Sequence, residues 1–495
     1  MGIIIRQSIK GTIVNYFGAF IGAFTILFVI TKFLQPEAFG LVTAITEAAL
    51  LFAVFAQLGT SATAFRFFPY FKSEKNNNNG FFYYLVLLPT IGIFIFIPLY
   101  ILLKDPISAY FSKNASLFVA YYYWVILLII IIVFWTTFET YSNLLMRIVI
   151  PKFIREVVIR VLLLATYLLF SFKILNIDTF VGCIISVYGI AMALTFIYVS
   201  RIGSISLKHD YSFIDNPLRK KIRNYTLFLV FSALSGSILG QLDFFMVSSQ
   251  LGLDYGGIYR FAFLIAAVID IPSRSITSIS SPIAANALKE GDLGTANQLY
   301  KKVSLHQLLA GTVIFLLIWI NIDNIFVIIP EGNVWVAGKW VIFFLILCRL
   351  FNITLNFGWT LISFSKYYYY TLFFTAFITI TGITTNLLLI PRMGITGASV
   401  ATLITTILSS IVQQWLVLKK IKGNPFSARM IKLLLLIIIL FGINYVLPHW
   451  STNPFIDGIY RTIIISTILL VSIYKLKISD EITSIMNKLL KSKPE

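Results

Sequence analysis

Long runs of apolar residues recur along the whole chain, and short polar segments separate them. A helix needs about 20 apolar residues to cross the hydrocarbon core of a bilayer. The pattern therefore predicts an all-α polytopic membrane protein with about 14 transmembrane helices. The predicted spans are residues 11–31, 40–64, 80–102, 117–138, 157–176, 179–200, 225–249, 257–281, 303–323, 339–361, 368–390, 395–418, 431–447 and 458–474.

Composition excludes a soluble core of this size. Hydrophobic residues make up 58% of the 495 and charged residues only 12%, about half the charge of an ordinary soluble domain. The two cysteines, Cys183 and Cys348, both fall inside predicted spans, which argues against a disulfide framework or a metal cluster. We expect no metal site and no cofactor.

The basic residues orient the predicted helices. Of the 39 Lys and Arg residues, 30 fall on the N-terminal side of the predicted spans and 8 on the opposite side. Basic loops resist translocation, so both termini are expected in the cytoplasm. The net charge of +19 thus reflects topology and contact with anionic membrane lipids rather than nucleic acid. Arg349 is left over, deep within a predicted span.

A short motif occurs twice and divides the chain. Residues 34–41 and 251–258 both fit Leu-x-x-acid-x-x-Gly-aliphatic, each at the start of a predicted span. The repeat predicts two six-helix lobes in the same orientation, with two extra C-terminal helices outside it. The expected parts are an N-terminal lobe 1–200, a cytoplasmic linker 201–224, a C-terminal lobe 225–420, extra spans 421–474 and an amphipathic cytoplasmic tail 475–495, whose apolar positions are Ile478, Ile482, Ile485 and Leu489.

The sequence offers no enzymatic motif. Its loops are too short for a soluble catalytic domain, and Gly332–Lys339 fails as a phosphate loop because its glycine spacing is wrong and Trp340 replaces the Ser or Thr that holds magnesium. No Asp-x-Asp pair or His-Glu-x-x-His is present. We therefore expect no catalytic residues and a protein that is not an enzyme.

Charged residues within spans are costly, so they mark candidate functional positions. We expect a substrate-binding cavity that contains Arg349, Arg274, Arg260, Asn352 and Asn356, because buried cations suit an anionic substrate. No acid lies within one turn of Arg349, whereas Asp270 and Arg274 are spaced to pair at i,i+4. Interhelical hydrogen bonding stays open as an alternative role for the neutral polar stripes. The acids proposed for ion coupling are Glu47, Asp243 and Asp270.

Three segments resemble a known family. Residues 33–41 with Phe65–Pro69, Leu242–Asp243 with Gly257–Tyr259, and above all Asn386–Ala398 resemble polysaccharide-biosynthesis flippases, the O-antigen and capsule repeat-unit exporters of the multidrug/oligosaccharidyl-lipid/polysaccharide (MOP) superfamily. The resemblance implies a MATE-like fold and alternating access. It also implies movement of an undecaprenyl-diphosphate-linked oligosaccharide to the outer leaflet of the bacterial cytoplasmic (inner) membrane, in company with polysaccharide polymerase machinery.

Other functions remain as alternatives. A MATE-type drug/cation antiporter is expected to have twelve spans and buried acids, and a membrane-embedded polymerase or sugar transferase is expected to have a large loop. Lipid II flippases carry basic residues within spans 1 and 2, and the interiors of those spans lack them here. This departure argues against lipid II as the substrate.

Overall fold

A computed structural model describes residues 2–72, 77–202, 205, 216–237, 241–367, 369–448, 451–481, 483–484 and 487. Half of the predicted linker 201–224 lies outside the described residues, as do Ile482, Ile485 and Leu489 of the predicted amphipathic tail. Of that tail face, Ile478 is described and is fully buried.

The described ranges are helical and contain no strand, which confirms the predicted all-α class. The helices are α1 (Gly2–Phe24), α2 (Pro36–Ala56), α3 (Thr60–Phe71), α4 (Phe81–Leu102), α5 (Lys104–Phe111), α6 (Ser116–Ala120), α7 (Trp124–Leu144), α8 (Val149–Phe153), α9 (Ile159–Ser171), α10 (Ile177–Ile202), α11 (Asn216–Ser237), α12 (Leu242–Leu251), α13 (Leu253–Ala266), α14 (Asp270–Glu290), α15 (Leu293–Trp319), α16 (Ile322–Ile328), α17 (Gly332–Trp335), α18 (Lys339–Leu355), α19 (Phe357–Phe364), α20 (Tyr370–Ile421), α21 (Ala428–Val446) and α22 (Pro454–Lys475).

Eleven of the described helical segments are long and apolar enough to cross a membrane, so the protein is a multi-pass membrane protein. One of them, Phe373–Ile421, contains two predicted spans that meet at Gly394, where φ is 61°. The predicted span 157–176 is not among the eleven, because charged residues interrupt it. The span at 225–249 crosses positions 238–240, outside the described residues. The number fourteen therefore stays a prediction.

The described chain forms two compact units, residues 1–257 and 258–495. In unit 1, α3 and α4 share an aromatic core that includes Phe67, Phe71, Phe81 and Phe82. In unit 2, α14, α15, α19 and α20 meet around Tyr300, whose hydroxyl donates to the carbonyl of Leu355 at 3.0 Å. Aromatic and aliphatic packing thus builds each unit separately.

The two copies of the repeated motif pack on each other within unit 1. A Cβ on Gly40 would overlap the carbonyl oxygen of Leu253, and a Cβ on Gly257 would overlap the carbonyl oxygen of Pro36. Each such Cβ would also lie 3.2 Å from the backbone nitrogen of the other glycine. Glycine is therefore required at both positions because the two backbones touch there. The contact is symmetric, since Pro36 and Leu253 occupy the same place in the motif.

The basic segment that the sequence assigned to a linker is partly helical. Helix α11 begins at Asn216, so Arg219, Lys220, Lys221 and Arg223 lie on its first two turns. Pro217 occupies the first helical turn, where its missing N–H costs nothing. This part of the predicted linker is therefore helical, because the starting signal of the helix lies before the basic run.

Candidate functional site

A break in the helix that enters unit 2 positions the first functional side chain. Helix α13 ends at Ala266, a 3₁₀ turn follows at Ala267–Ile269, and α14 begins at Asp270. Pro272 in the first turn of α14 explains the break, because proline lacks the N–H that continues an α-helix and its ring crowds the preceding turn. The break lies just before Asp270.

Asp270 forms a salt bridge with Arg349 of α18, in which the guanidinium Nη1 donates to Oδ2. The side chains are 25% and 17% exposed, respectively. Arg349 therefore has an acidic partner, although no acid lies within one turn of it, and the carboxylate of Asp270 pairs with Arg349. The partner belongs to another helix, so helical spacing within one segment did not reveal it.

One aromatic ring joins this ion pair to a second arginine. The guanidinium carbon of Arg349 lies 4.4 Å from the ring centroid of Phe263, and that of Arg260 lies 5.0 Å from the same centroid. A cation near an aromatic face is attracted to the ring quadrupole. The result, here called the arginine cluster, consists of Arg260, Phe263, Asp270 and Arg349. Its formal charge is +1.

The remaining predicted substrate residues lie near the cluster in sequence and are exposed in the structure. Asn352 and Asn356 continue along α18 from Arg349. Arg274 lies one turn after Asp270 on α14 and is also exposed. The polar stripe on α18 therefore leads from the half-buried Arg349 to accessible amides, an arrangement suited to an anionic ligand that also carries hydroxyl groups.

The other two acids proposed for ion coupling belong to unit 1. Glu47 is buried on α2, and Asp243 is half-buried in the first turn of α12. Further along the predicted span 40–64, which contains Glu47, Gln57 donates from Nε2 to the hydroxyl of Thr136. The hydroxyls of Ser61 and Thr140 lie 2.8 Å apart. These neutral polar groups of span 2 therefore hold α2 and α3 against α7, which is the interhelical role that the sequence left open.

Sequence reasoning missed a charged network in unit 1. Arg155 pairs with Glu139 of α7 at 2.5 Å, and its guanidinium lies 5.0 Å from the Trp135 ring. Arg160 pairs with Glu156 at 2.7 Å and also donates to the carbonyl of Gly18 on α1. The signal was present for Arg160, because Glu156 lies four residues before it. The acidic partner of Arg155, Glu139, lies on another helix.

A second missed network anchors the last helix. Arg461 donates to Asp457 at 2.8 Å, to the Asn444 side chain at 3.0 Å and to the carbonyl of Leu447 at 3.1 Å. Asn324 of α16 donates to the same Asp457 carboxylate at 2.9 Å. Arg461 lies near the start of the predicted span 458–474 and is only 4% exposed. The network ties α22 to α21 and α16.

Residues 8–286, more than half of the chain, match the family described as polysaccharide biosynthesis protein. The chain belongs to this family. The family membership that the three segments suggested is confirmed. A search of curated proteins finds no match.

Solved structures share the fold of this family member at low sequence identity. A lipid II flippase, MurJ, in an inward closed conformation aligns with a TM-score of 0.71 and 14% identity over 95% of this chain and 100% of that one. An inward-facing multidrug resistance MATE transporter of the MOP superfamily gives 0.61 and 15% over 82% and 94%. A MOP superfamily transporter from Pyrococcus furiosus gives 0.53 and 16% over 85% and 95%. These likenesses establish the fold, as the sequence predicted.

Within the described residues, no group of three or more His, Cys, Asp or Glu side chains is placed to hold a metal ion. The guanidinium groups of the arginine cluster present paired N–H donors, an arrangement that matches phosphate oxygens.

Proposed function

We propose that this protein is a flippase that moves an undecaprenyl-diphosphate-linked oligosaccharide, a repeat unit of O-antigen, capsule or exopolysaccharide, from the inner to the outer leaflet. Family membership supports polysaccharide biosynthesis, and the fold is that of a known lipid II flippase and of MATE transporters. The bacterial cytoplasmic membrane, cytoplasmic termini and alternating access between two lobes are parts of the same proposal, as is cooperation with a polysaccharide polymerase.

The arginine cluster is the observation that carries the proposal. Arg349 donates one hydrogen bond among the described residues, to Asp270. The other guanidinium nitrogen atoms donate no hydrogen bond within that part of the chain, and the side chain is still 17% exposed. A diphosphate brings several strong acceptor oxygens and two or more negative charges, so it competes well with a single carboxylate. Asn352 and Asn356 then supply amide groups for sugar hydroxyls.

Asp270 gives the cluster a way to couple to a cation. While Asp270 is ionised it holds Arg349, and while it is protonated it releases the guanidinium to a phosphate. The same exchange works if a metal cation binds the carboxylate. Because a ligand shifts a two-state equilibrium only through different affinities for the two states, the coupling requires that substrate and cation compete for this one ion pair.

Transport into proteoliposomes tests the proposal. The probe is undecaprenyl diphosphate that carries a fluorescent sugar, and the measurement is its protection from a membrane-impermeant quencher. The wild-type protein is expected to equilibrate the probe between leaflets, and Arg349→Ala is expected to slow this at least tenfold. Arg429→Ala is the matched control, because Arg429 also pairs with an aspartate of unit 2, Asp480, at 2.6 Å. Equal rates for Arg349→Ala and wild type would overturn the role of the cluster.

In cells, deletion is expected to abolish surface polysaccharide and to trap the lipid-linked precursor on the cytoplasmic side. A deletion strain that keeps its surface polysaccharide but becomes sensitive to cationic drugs would favour the antiporter instead.

A further inference from the structure

Unit 1 contains a cleft that the arginine cluster does not involve. The cleft has a volume of about 510 Å³, which is within the range of sites for small ligands. Helices α3, α4 and α11 form its walls. The described lining residues are Leu58, Thr60, Thr63, Ala64, Phe67, Phe71, Phe81, Tyr84, Leu85, Leu87, Leu88, Arg219, Ile222, Arg223 and Thr226.

The walls of the cleft are apolar and aromatic. Two of its threonine side chains are already engaged, since the hydroxyls of Thr63 and Thr226 lie 3.2 Å apart. The hydroxyl of Thr60 donates to the carbonyl of Gln57. An alkyl chain gains from such walls through burial of apolar surface, whereas a sugar finds few hydrogen-bonding groups there. The interior therefore suits a hydrocarbon tail.

Two arginines complete the lining of the cleft. Arg219 and Arg223 lie four residues apart on α11, hence on one face of the helix. Both are exposed, and neither makes an ion pair with any other described residue. Lys220 and Lys221 lie between them but do not line the cleft. Two guanidinium groups beside an apolar cleft match a phosphate that is attached to a hydrocarbon chain.

A cation–π contact holds α11, which forms one wall of the cleft, against α3. The guanidinium carbon of Arg66 on α3 lies 4.2 Å from the ring centroid of Tyr225 on α11. The lining residues Phe67, Phe71 and Phe81 belong to the same packed core as Phe82 and Tyr141. The volume of about 510 Å³ favours a phospholipid acyl chain over the much longer undecaprenyl tail.

We propose that this cleft binds one anionic phospholipid, with an acyl chain between α3 and α4 and the phosphate between Arg219 and Arg223. The charge distribution in the sequence assigns this end of the helices to the cytoplasmic leaflet, where basic pockets between helices attract anionic headgroups. The bound lipid fixes the first turns of α11 to the bilayer. This inference does not depend on the proposed transport function, because the arginine cluster lies in the other unit.

Native mass spectrometry of the full-length protein tests the assignment. Phosphatidylglycerol and phosphatidylcholine with the same acyl chains are offered to protein in detergent. Wild-type protein is expected to retain one phosphatidylglycerol with at least tenfold preference over phosphatidylcholine. Arg219→Ala combined with Arg223→Ala is expected to lose this preference. Lys220→Ala combined with Lys221→Ala, which removes the same charge from the same helix, is expected to keep it.

The position of the lipid's acyl chain is tested separately. Phosphatidylglycerol with a photoreactive acyl chain is expected to label the segment from Thr60 to Leu88, and Leu88→Trp, which narrows the cleft, is expected to reduce that labelling several-fold.

Three outcomes would overturn the assignment. Equal losses in the arginine and lysine double variants would mean general attraction to a basic helix. Full displacement by inorganic phosphate alone would mean that the apolar walls contribute nothing. Displacement by farnesyl diphosphate at much lower concentration than by phosphatidylglycerol would make the cleft a site for polyprenyl diphosphate, in place of a phospholipid.

Discussion

Two of the arginine–aspartate pairs in unit 2 differ in their surroundings. Arg461 uses all three guanidinium nitrogens, bonds to Asp457, Asn444 and Leu447, and is almost fully buried. Arg349 donates a single hydrogen bond among the described residues and keeps 17% of its side chain exposed. The same two residue types therefore build a closed network in one place and leave donors available in the other.

The comparison teaches that a charge within a membrane helix is not by itself a functional signal. A buried arginine whose donors are all satisfied contributes to structure, because removal of one partner leaves an uncompensated charge. An arginine with donors to spare binds a ligand at little structural cost. Saturation of its hydrogen bonds, rather than its position in a span, separates the two cases.

The largest expected effect comes from a substitution that disrupts the hydrogen-bond network of Arg461. Arg461→Ala leaves the carboxylate of Asp457, which is 1% exposed, without its cation, and we expect a loss of about 3–5 kcal/mol in the free energy of unfolding. Denaturant titration of the detergent-solubilised protein measures it. Asp457→Asn combined with Arg461→Met removes both charges and is expected to be less harmful than the single change. A single variant as stable as wild type would contradict the structural role of Arg461.

The second prediction concerns the arginine cluster, where we expect a large effect on transport and a small effect on stability. Arg349→Ala is expected to slow transport at least tenfold, equivalent to about 1.4 kcal/mol, while the free energy of unfolding changes by about 1 kcal/mol or less. Transport and unfolding are measured on the same preparation. Arg349→Lys keeps the charge but loses the paired donors, so an intermediate rate is expected. A stability loss as large as that of Arg461→Ala would remove the distinction between the two arginines.

The third prediction sharpens the role of Asp270. Asp270→Asn removes the charge that competes with an anion for Arg349, so binding of farnesyl diphosphate is expected to tighten by about fivefold, or roughly 1 kcal/mol. Isothermal titration calorimetry measures the affinity, and Asp323→Asn, at an exposed pair with Lys339, is the control. Weaker binding in Asp270→Asn would mean that Asp270 orients Arg349 instead of competing for it.

The smallest expected effect comes from an exposed ion pair, Lys302 with Glu481, which adds a third case to the two arginine–aspartate pairs. Lys302, at 2.5 Å, lowers the pKa of Glu481 from 4.5 to about 2, and Ser479 and His306 also face this carboxylate. A lowered pKa in the folded state means that the stabilisation is present above pH 4.5 and is lost as the pH falls towards 2. Because Glu481 is 45% exposed, we expect the pair to contribute less than about 1 kcal/mol to the free energy of unfolding.

Unfolding free energies at pH 5.5 and pH 3 measure this effect. Glu481→Gln is expected to abolish the part of the pH dependence that belongs to this pair, and Asp480→Asn serves as the neighbouring control. An unchanged pH dependence in Glu481→Gln would show that the contact with Lys302 contributes nothing in solution.

The features that could be predicted from the sequence are those that depend on the local pattern of residues. Apolar runs predicted the helices, and residues 386–398 pointed to the family. Pairing across helices was not predictable, because Asp270 and Arg349 are distant in sequence and meet only through packing. Arg461 is different, since Asp457 lies one turn before it and the i,i+4 spacing was readable. It was overlooked because both residues fell at the edge of a predicted span, where charge is ordinary.

The contact between Gly40 and Gly257 has a further consequence. Each glycine touches the equivalent backbone position of the other motif, so the contact is self-complementary in the way of an isologous dimer interface. The chain thus joins two copies of one short motif by a contact in which each copy contributes the same positions.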